Sequence, residues 1–264
     1  MNLFLDIQVY GNGKKHLLTF HGFGKHLDDF KYFAFLEKYY TIHGINLFHH
    51  GKSKYPRQRI KKNPLTKTEF TEYIRFYLNE NNIDTIDILA YSMGGKFALT
   101  LVELMPEKVR NVYLLAPDGL SLNPWYVFAA NTKAGNFFTK NYIKDASFLA
   151  GLTQAFYRFG VIPEKLKKFV LIQIESRSIR LLVYKVWLSF RKIRPNIKQV
   201  KKHSLQHNIK FIILLGKYDS VIKHKLGNKF IKDIENNCEL FKLECGHNLF
   251  NEEATLLLKS SLEK

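Results

Sequence analysis

The sequence predicts an α/β fold: a mainly parallel, doubly wound sheet carrying a helical cap insertion. Three observations lead there. Short apolar runs ending in Gly- or Asp-containing turns alternate with segments of helical period. Two of the runs, VRNVYLLAP and IKFIILLG, are of the Val/Ile/Leu-rich kind that parallel sheets bury on both faces. Between Pro117 and His203 the alternation stops, and about 85 residues of aromatic, basic, helix-period sequence follow. A chain of 264 residues accommodates one large domain with such an insertion. The expected division is a core over 1–117 and 204–264 and a helical cap over 118–203.

Taken in order, MNLFLDIQVYGNGKK lacks a basic leader and Asp6 breaks its apolar stretch, so it reads as a first strand and not as a signal peptide. HLLTF (His16–Phe20) is strand-like and runs into His-Gly-Phe-Gly. Asp28 to Tyr39 sets Phe30, Phe33, Ala34 and Leu36 at helical spacing. INLFHH (Ile45–His50) reads as a strand ended by Gly51. TKTEFTEYIRFYLNEN opens with a Thr66-x-x-Glu69 capping box and puts Phe70, Tyr73, Ile74 and Tyr77 on one helical face. IDILAY is a strand, followed by a helix from about Met93 to Met105 that Pro106 helps to stop. Val109–Pro117, Ile209–Gly216 and CELFKLE complete the strands, and Asn248 to Leu262 forms a closing helix.

Composition narrows the class. With 46% hydrophobic and 24% charged residues the chain reads as a soluble globular protein. No apolar run approaches the ~18 residues of a membrane-spanning helix. Cys238 and Cys245 would lie about 23 Å apart along a strand at about 3.3 Å per residue. A disulfide spans at most about 7 Å, so both are expected as free thiols, consistent with a cytoplasmic location. The net charge is +18, and Ser121 to Leu205 alone carries 16 Lys and Arg against three acidic residues. Compositional drift toward Lys, Asn, Ile, Phe and Tyr accounts for this most simply. The functional reading is attraction to anionic substrates or peripheral contact of the basic cap with an anionic membrane.

Ser92 lies in Ala90-Tyr91-Ser92-Met93-Gly94-Gly95, a small-x-Ser-x-Gly pattern between a strand and a helix. Small residues two before and two after the serine relieve the crowding of a sharp turn. The turn can also aim the Met93 amide at a reacting carbonyl. A serine merely capping a helix is the bland alternative, but Gly94-Gly95 is costly in an ordinary first turn. His21-Gly22-Phe23-Gly24 follows an early strand and can present the Phe23 amide as a second oxyanion donor, with His21 and Gly22 expected at the substrate. Asp219, after the strand ending at Gly216, can orient a histidine. Asp118 is the rival acid, ranked second because Pro-Asp-Gly is itself a turn signal. His247, after a glycine in a strand-to-helix loop, is the best placed of ten histidines to act as base. His49, His50 and His203 lack comparable context and are expected at the surface or in a pocket.

In this order, His21–Gly24, Ala90–Gly95, Gly216–Asp219 and Gly246–His247 make the chain resemble the α/β-hydrolase superfamily, in its branch of compact esterase-like enzymes with a helical cap between the sixth and seventh core strands. The likeness spans nearly the whole chain. His50-Gly51-Lys52-Ser53 also resembles the family's Gly-x-Ser loop after its fourth strand, with His49 and His50 where a more acidic, glycine-rich loop is usual. The resemblance implies a Ser92–His247–Asp219 triad, an oxyanion hole of Phe23 and Met93, and cleavage of a carboxylic ester or thioester through an acyl-enzyme. A serine at the elbow argues against the related enzymes that attack through a carboxylate. The same triad serves carbon–carbon bond hydrolases and lyases, and a catalytically silent binding protein is the alternative from another class. Trp125, Tyr126, Phe128, Phe137, Phe138 and Trp187 are expected to line an apolar acyl pocket or to form the core of the cap. The sequence implies no metal and no organic cofactor, and no zinc-ligand spacing or RNA-binding signature accompanies the charge, so nucleic acid is not an expected partner.

Overall fold

The computed structural model describes residues 3–121, 132, 146–162 and 164–262. Seven strands form one sheet: β1 (Asp6–Tyr10), β2 (Lys15–Phe20), β3 (Tyr40–Asn46), β4 (Ile86–Tyr91), β5 (Val109–Leu115), β6 (Lys210–Gly216) and β7 (Cys238–Leu243). Their order is β1-β3-β2-β4-β5-β6-β7, with β1 antiparallel to β3 and every other neighbouring pair parallel. The register sets Leu18 beside Ile88 and Leu114 beside Ile213.

Side chains alternate across the strands, so each strand feeds two layers. Leu17, Leu89, Tyr91, Tyr113, Leu115 and Leu214 share one buried cluster with Phe30, Phe33 and Leu36 from the segment after β2, and with Ala254 and Leu258 from the last helix. Phe20, of opposite parity to Leu17, packs with Phe70 and Phe97 at ring separations of 5.9 and 6.5 Å. Those rings belong to α2 (Lys67–Glu80) and α3 (Gly94–Leu104). The sheet is thus covered on both sides, as the alternating pattern requires.

Two elements differ from the sequence expectation. The third strand is Tyr40–Asn46, not 45–50; Leu47 and Phe48 are buried, but in the turn that follows it. The segment Leu27–Lys38 forms 3-10 turns broken at Phe33, where φ is −99° and ψ 46°.

Contacts divide the chain into two units. One holds the sheet and comprises residues 2–54, 66–121 and 193–264. The other comprises 55–65 and 122–192 and contains α1 (Arg59–Lys62), α4 (Ala146–Arg158), α5 (Glu164–Glu175) and α6 (Arg177–Ser189). This division departs from the 118–203 boundary at both ends. Residues 55–65 join the helical unit because the Leu65 N–H donates to Ser189 O (2.9 Å) and the Arg191 guanidinium donates to Ile60 O (3.1 Å). Helix α7 (Ile197–Gln206) joins the sheet unit beside α3, where the Asn196 N–H donates to the Glu103 carboxylate at 2.9 Å. Two further helices, α8 (Lys225–Ile231) and α9 (Glu252–Leu262), flank β7 in sequence. Both cysteines are free, and no helix among the described residues is long and apolar enough to cross a membrane.

Candidate active site

Strand β4 ends at Tyr91 and α3 begins at Gly94, so Ser92 and Met93 carry the reversal between them. Ser92 has φ 49°, in the left-handed region that a side chain with a Cβ seldom enters. Three backbone hydrogen bonds hold it there. Its N–H donates to Leu115 O (2.9 Å), and its carbonyl accepts from Gly95 (2.9 Å) and Asp118 (2.7 Å). Helix α3 starts pressed against the end of β2, where a methyl group on Gly94 would overlap the Phe20 carbonyl. The glycine after the elbow is therefore a steric requirement.

Ser92 Oγ lies 2.9 Å from His247 Nε2, and His247 Nδ1 lies 2.7 Å from Asp219 Oδ2. Asp219 follows β6 and His247 follows β7, so adjacent strand ends deliver the two groups. The Asp219 side chain is fully buried. Its Oδ1 accepts the Val221 and Ile222 N–H groups at 2.7 and 2.9 Å. A carboxylate only accepts, so Nδ1 of His247 carries the proton and Nε2 turns its lone pair to the Ser92 hydroxyl. The Tyr91 hydroxyl donates to His247 O at 3.2 Å and steadies the histidine's backbone. The rival Asp118 turns elsewhere: it lies 3.6 Å from Lys96 Nζ and accepts its neighbour Gly119 N–H at 2.8 Å.

The His21–Gly24 loop follows β2. A methyl group on Gly22 would lie 2.8 Å from the Tyr91 ring and 3.2 Å from Ser92 Cβ, which places this loop against the elbow. Among the described residues, the N–H groups of Phe23 and Met93 donate to no acceptor. His21, expected at the substrate, is instead fully buried behind the loop. Its Nε2 accepts the Leu47 N–H at 2.9 Å and its Nδ1 donates to Gly22 O at 2.7 Å. Burial, with His50 beside it, pushes its pKa down to about 3, so it is neutral and both nitrogens are committed.

His50, expected at the surface or in a pocket, is buried and holds the other end of the same loop. Its Nε2 accepts the Gly24 N–H at 3.2 Å, and its Nδ1 donates to Phe48 O at 3.2 Å. Burial pushes its pKa down to about 4. The two imidazoles meet edge to face at 4.7 Å. Phe23 therefore sits between two backbone groups, Gly22 O and Gly24 N–H, each pinned by a neutral histidine. Trp125, Tyr126, Phe128, Phe137 and Phe138 lie outside the described residues, and Trp187 is half-buried on α6. Among the described residues no group of three His, Cys, Asp or Glu side chains is arranged to hold a metal ion.

Comparison with known proteins bears on the fold. The esterase of Thermogutta terrifontis superposes with a TM-score of 0.71 at 14% identity, covering 99% of this chain and 93% of that one. The enol-lactonase of Burkholderia xenovorans superposes at 0.64 with 16% identity, covering 99% and 96%. A dihydrolipoyllysine-residue acetyltransferase component of an acetoin cleaving system from Cupriavidus necator is 30% identical over 110 residues, or 41% of this chain. That match spans 28% of the relative's own length, so little more than a quarter of it is compared. The family model described as alpha/beta hydrolase fold matches residues 15–254. The chain belongs to the alpha/beta hydrolase fold family.

Proposed function

We propose that this chain is a serine hydrolase that cleaves a carboxylic ester or thioester through an acyl-enzyme. The observation that carries the reading is the continuous hydrogen-bonded relay from Ser92 Oγ through His247 to the buried Asp219, at 2.9 and 2.7 Å. The esterase and the enol-lactonase that share the fold act in the same direction as support.

His247 Nε2 takes the hydroxyl proton as Ser92 Oγ bonds to the acyl carbon. The carbonyl oxygen becomes an oxyanion facing the Phe23 and Met93 N–H groups, whose donors need no reorganisation because they are not otherwise engaged. Collapse expels the alcohol or thiol, which leaves with the proton from His247. Water then attacks the acyl-serine, His247 again accepting a proton, and the carboxylic acid departs as the Ser92 hydroxyl is restored. Asp219 keeps Nδ1 protonated throughout and stabilises the imidazolium that forms in each half.

The test pairs a fluorophosphonate probe with esters and a thioester of graded acyl length. The wild-type chain labels at Ser92 and turns over at least part of the panel; Ser92→Ala loses labelling and falls at least about a thousandfold in rate. Near-full ester turnover by Ser92→Ala would remove the assignment. Labelling without turnover of any ester would favour a carbon–carbon bond hydrolase or lyase built on the same triad, and absence of labelling would favour a binding protein.

A further inference from the structure

Within the helical unit, α4 and α5 are joined through a tight, well-defined stop. Gly160 has φ 68°; its N–H donates to Tyr157 O (3.0 Å) and the Val161 N–H donates to Phe156 O (2.8 Å). This is the paired bonding of a Schellman motif, in which the residues equivalent to Phe156 and Val161 ordinarily cover one another. Here they do not. Phe156 is 37% exposed, Val161 60% and Phe159, between them, 80%. The turn holds Phe159 and Val161 out in water, and Phe156 in part, on a backbone fixed by its own hydrogen bonds.

Cations accompany this turn in sequence, and Lys167 reaches it in space. Arg158 is exposed, Lys168 is exposed beside Glu164 (3.0 Å), and Lys167 Nζ lies 3.8 Å from the centre of the Tyr157 ring. From Ala146 to Ser189 the chain has seven Lys and Arg against Glu164 and Glu175. An exposed apolar knob in a basic collar selects among occupants. A second copy would bring the same positive collar to the contact and be repelled, whereas an acidic surface is attracted to the collar and a hydrocarbon boundary accepts the knob.

We propose that the Phe156–Phe159–Val161 tip docks this protein on the surface of an anionic phospholipid bilayer. The three apolar side chains enter the boundary between headgroups and acyl chains, while Arg158, Lys167 and Lys168 face the lipid phosphates. The proposal does not depend on the chemistry at Ser92.

Flotation of the full chain with vesicles tests it. The protein co-floats with phosphatidylcholine vesicles containing phosphatidylglycerol, does so less at high salt, and stays behind with phosphatidylcholine alone. Phe159→Asp combined with Val161→Asp lowers the bound fraction at least about tenfold with an unchanged circular dichroism spectrum. Arg158→Glu combined with Lys168→Glu leaves the apolar tip intact and still loses the preference for anionic vesicles. Three results would each overturn the proposal. The first is flotation with neither vesicle or equally with both, as a simple hydrophobic contact would give; the second is tip and collar variants that float like wild type; the third is a dimer in sedimentation that the tip variant abolishes, making a second copy the occupant.

Discussion

A single methyl group at position 94 would collide with the Phe20 carbonyl, a backbone atom that cannot swing aside. The Gly94→Ala chain therefore has to separate α3 from β2 or distort the turn at Ser92. Its expected cost is about 1–3 kcal/mol, read from the urea midpoint. Unchanged stability would mean that α3 can slide on the strand without penalty. Such constraints also explain what could be read from residues in advance. Ser92, Asp219 and His247 each sit after a strand and before a helix, in loops whose glycines mark the turn, so their places in the fold could be inferred without coordinates. His50 could not be read this way. Its function is to accept one N–H from Gly24, a partner 26 residues away, and no local pattern records that contact. His21 escapes such a reading for a related reason: position in the loop is legible, but which way a ring turns depends on Leu47, which arrives in the turn after β3.

At the scale of elements, helix α2 begins where the Thr66 side chain accepts the Glu69 N–H at 3.1 Å. Thr66→Ala leaves that donor without its partner and is expected to cost about 1 kcal/mol, measurable by thermal or urea unfolding. Strands β4, β5 and β6 are legible because their C-terminal halves are buried on both faces and apolar, as in Leu89-Ala90, Leu114-Leu115 and Leu214-Leu215. Strand β3 was displaced by a competing signal. Its sequence, YTIHGIN, reads as polar, yet His43 is buried in it between His16 (3.0 Å) and the Tyr77 hydroxyl (2.8 Å). The adjacent Leu47-Phe48 pair looks more strand-like but packs in a turn. The segment after β2 shows a mistaken period: Leu27, Phe30, Phe33 and Leu36 are buried at intervals of three, while Ala34 is exposed. A three-residue repeat belongs to a 3-10 turn, not to the α-helix that spacing first proposed.

For the whole molecule, the buried histidines tie stability to pH. Burial holds His21 at about 3 and His43 and His50 at about 4, against an ordinary value of 6.5. Below pH 6.5 the unfolded chain takes up protons that the folded chain refuses. The contribution of these groups is thus complete above 6.5 and is lost as pH falls toward their folded values, by about 1.4 kcal/mol per pH unit for each histidine. Urea unfolding between pH 7 and about 4.5 is expected to show a steady fall, and a flat profile would mean that one or more of the three is protonated in the folded state. The positive charge of the chain is unevenly spread: residues 121–205 carry 16 Lys and Arg against three acidic residues.

The left-handed backbone at Ser92 has an evolutionary corollary. Glycine is at ease at φ 49°, whereas serine there carries a strain of about 1 kcal/mol or more. Selection of variants for heat resistance alone would favour Ser92→Gly, a change that on the proposed function removes the nucleophile. On the proposed function, a serine at this angle trades stability for reactivity.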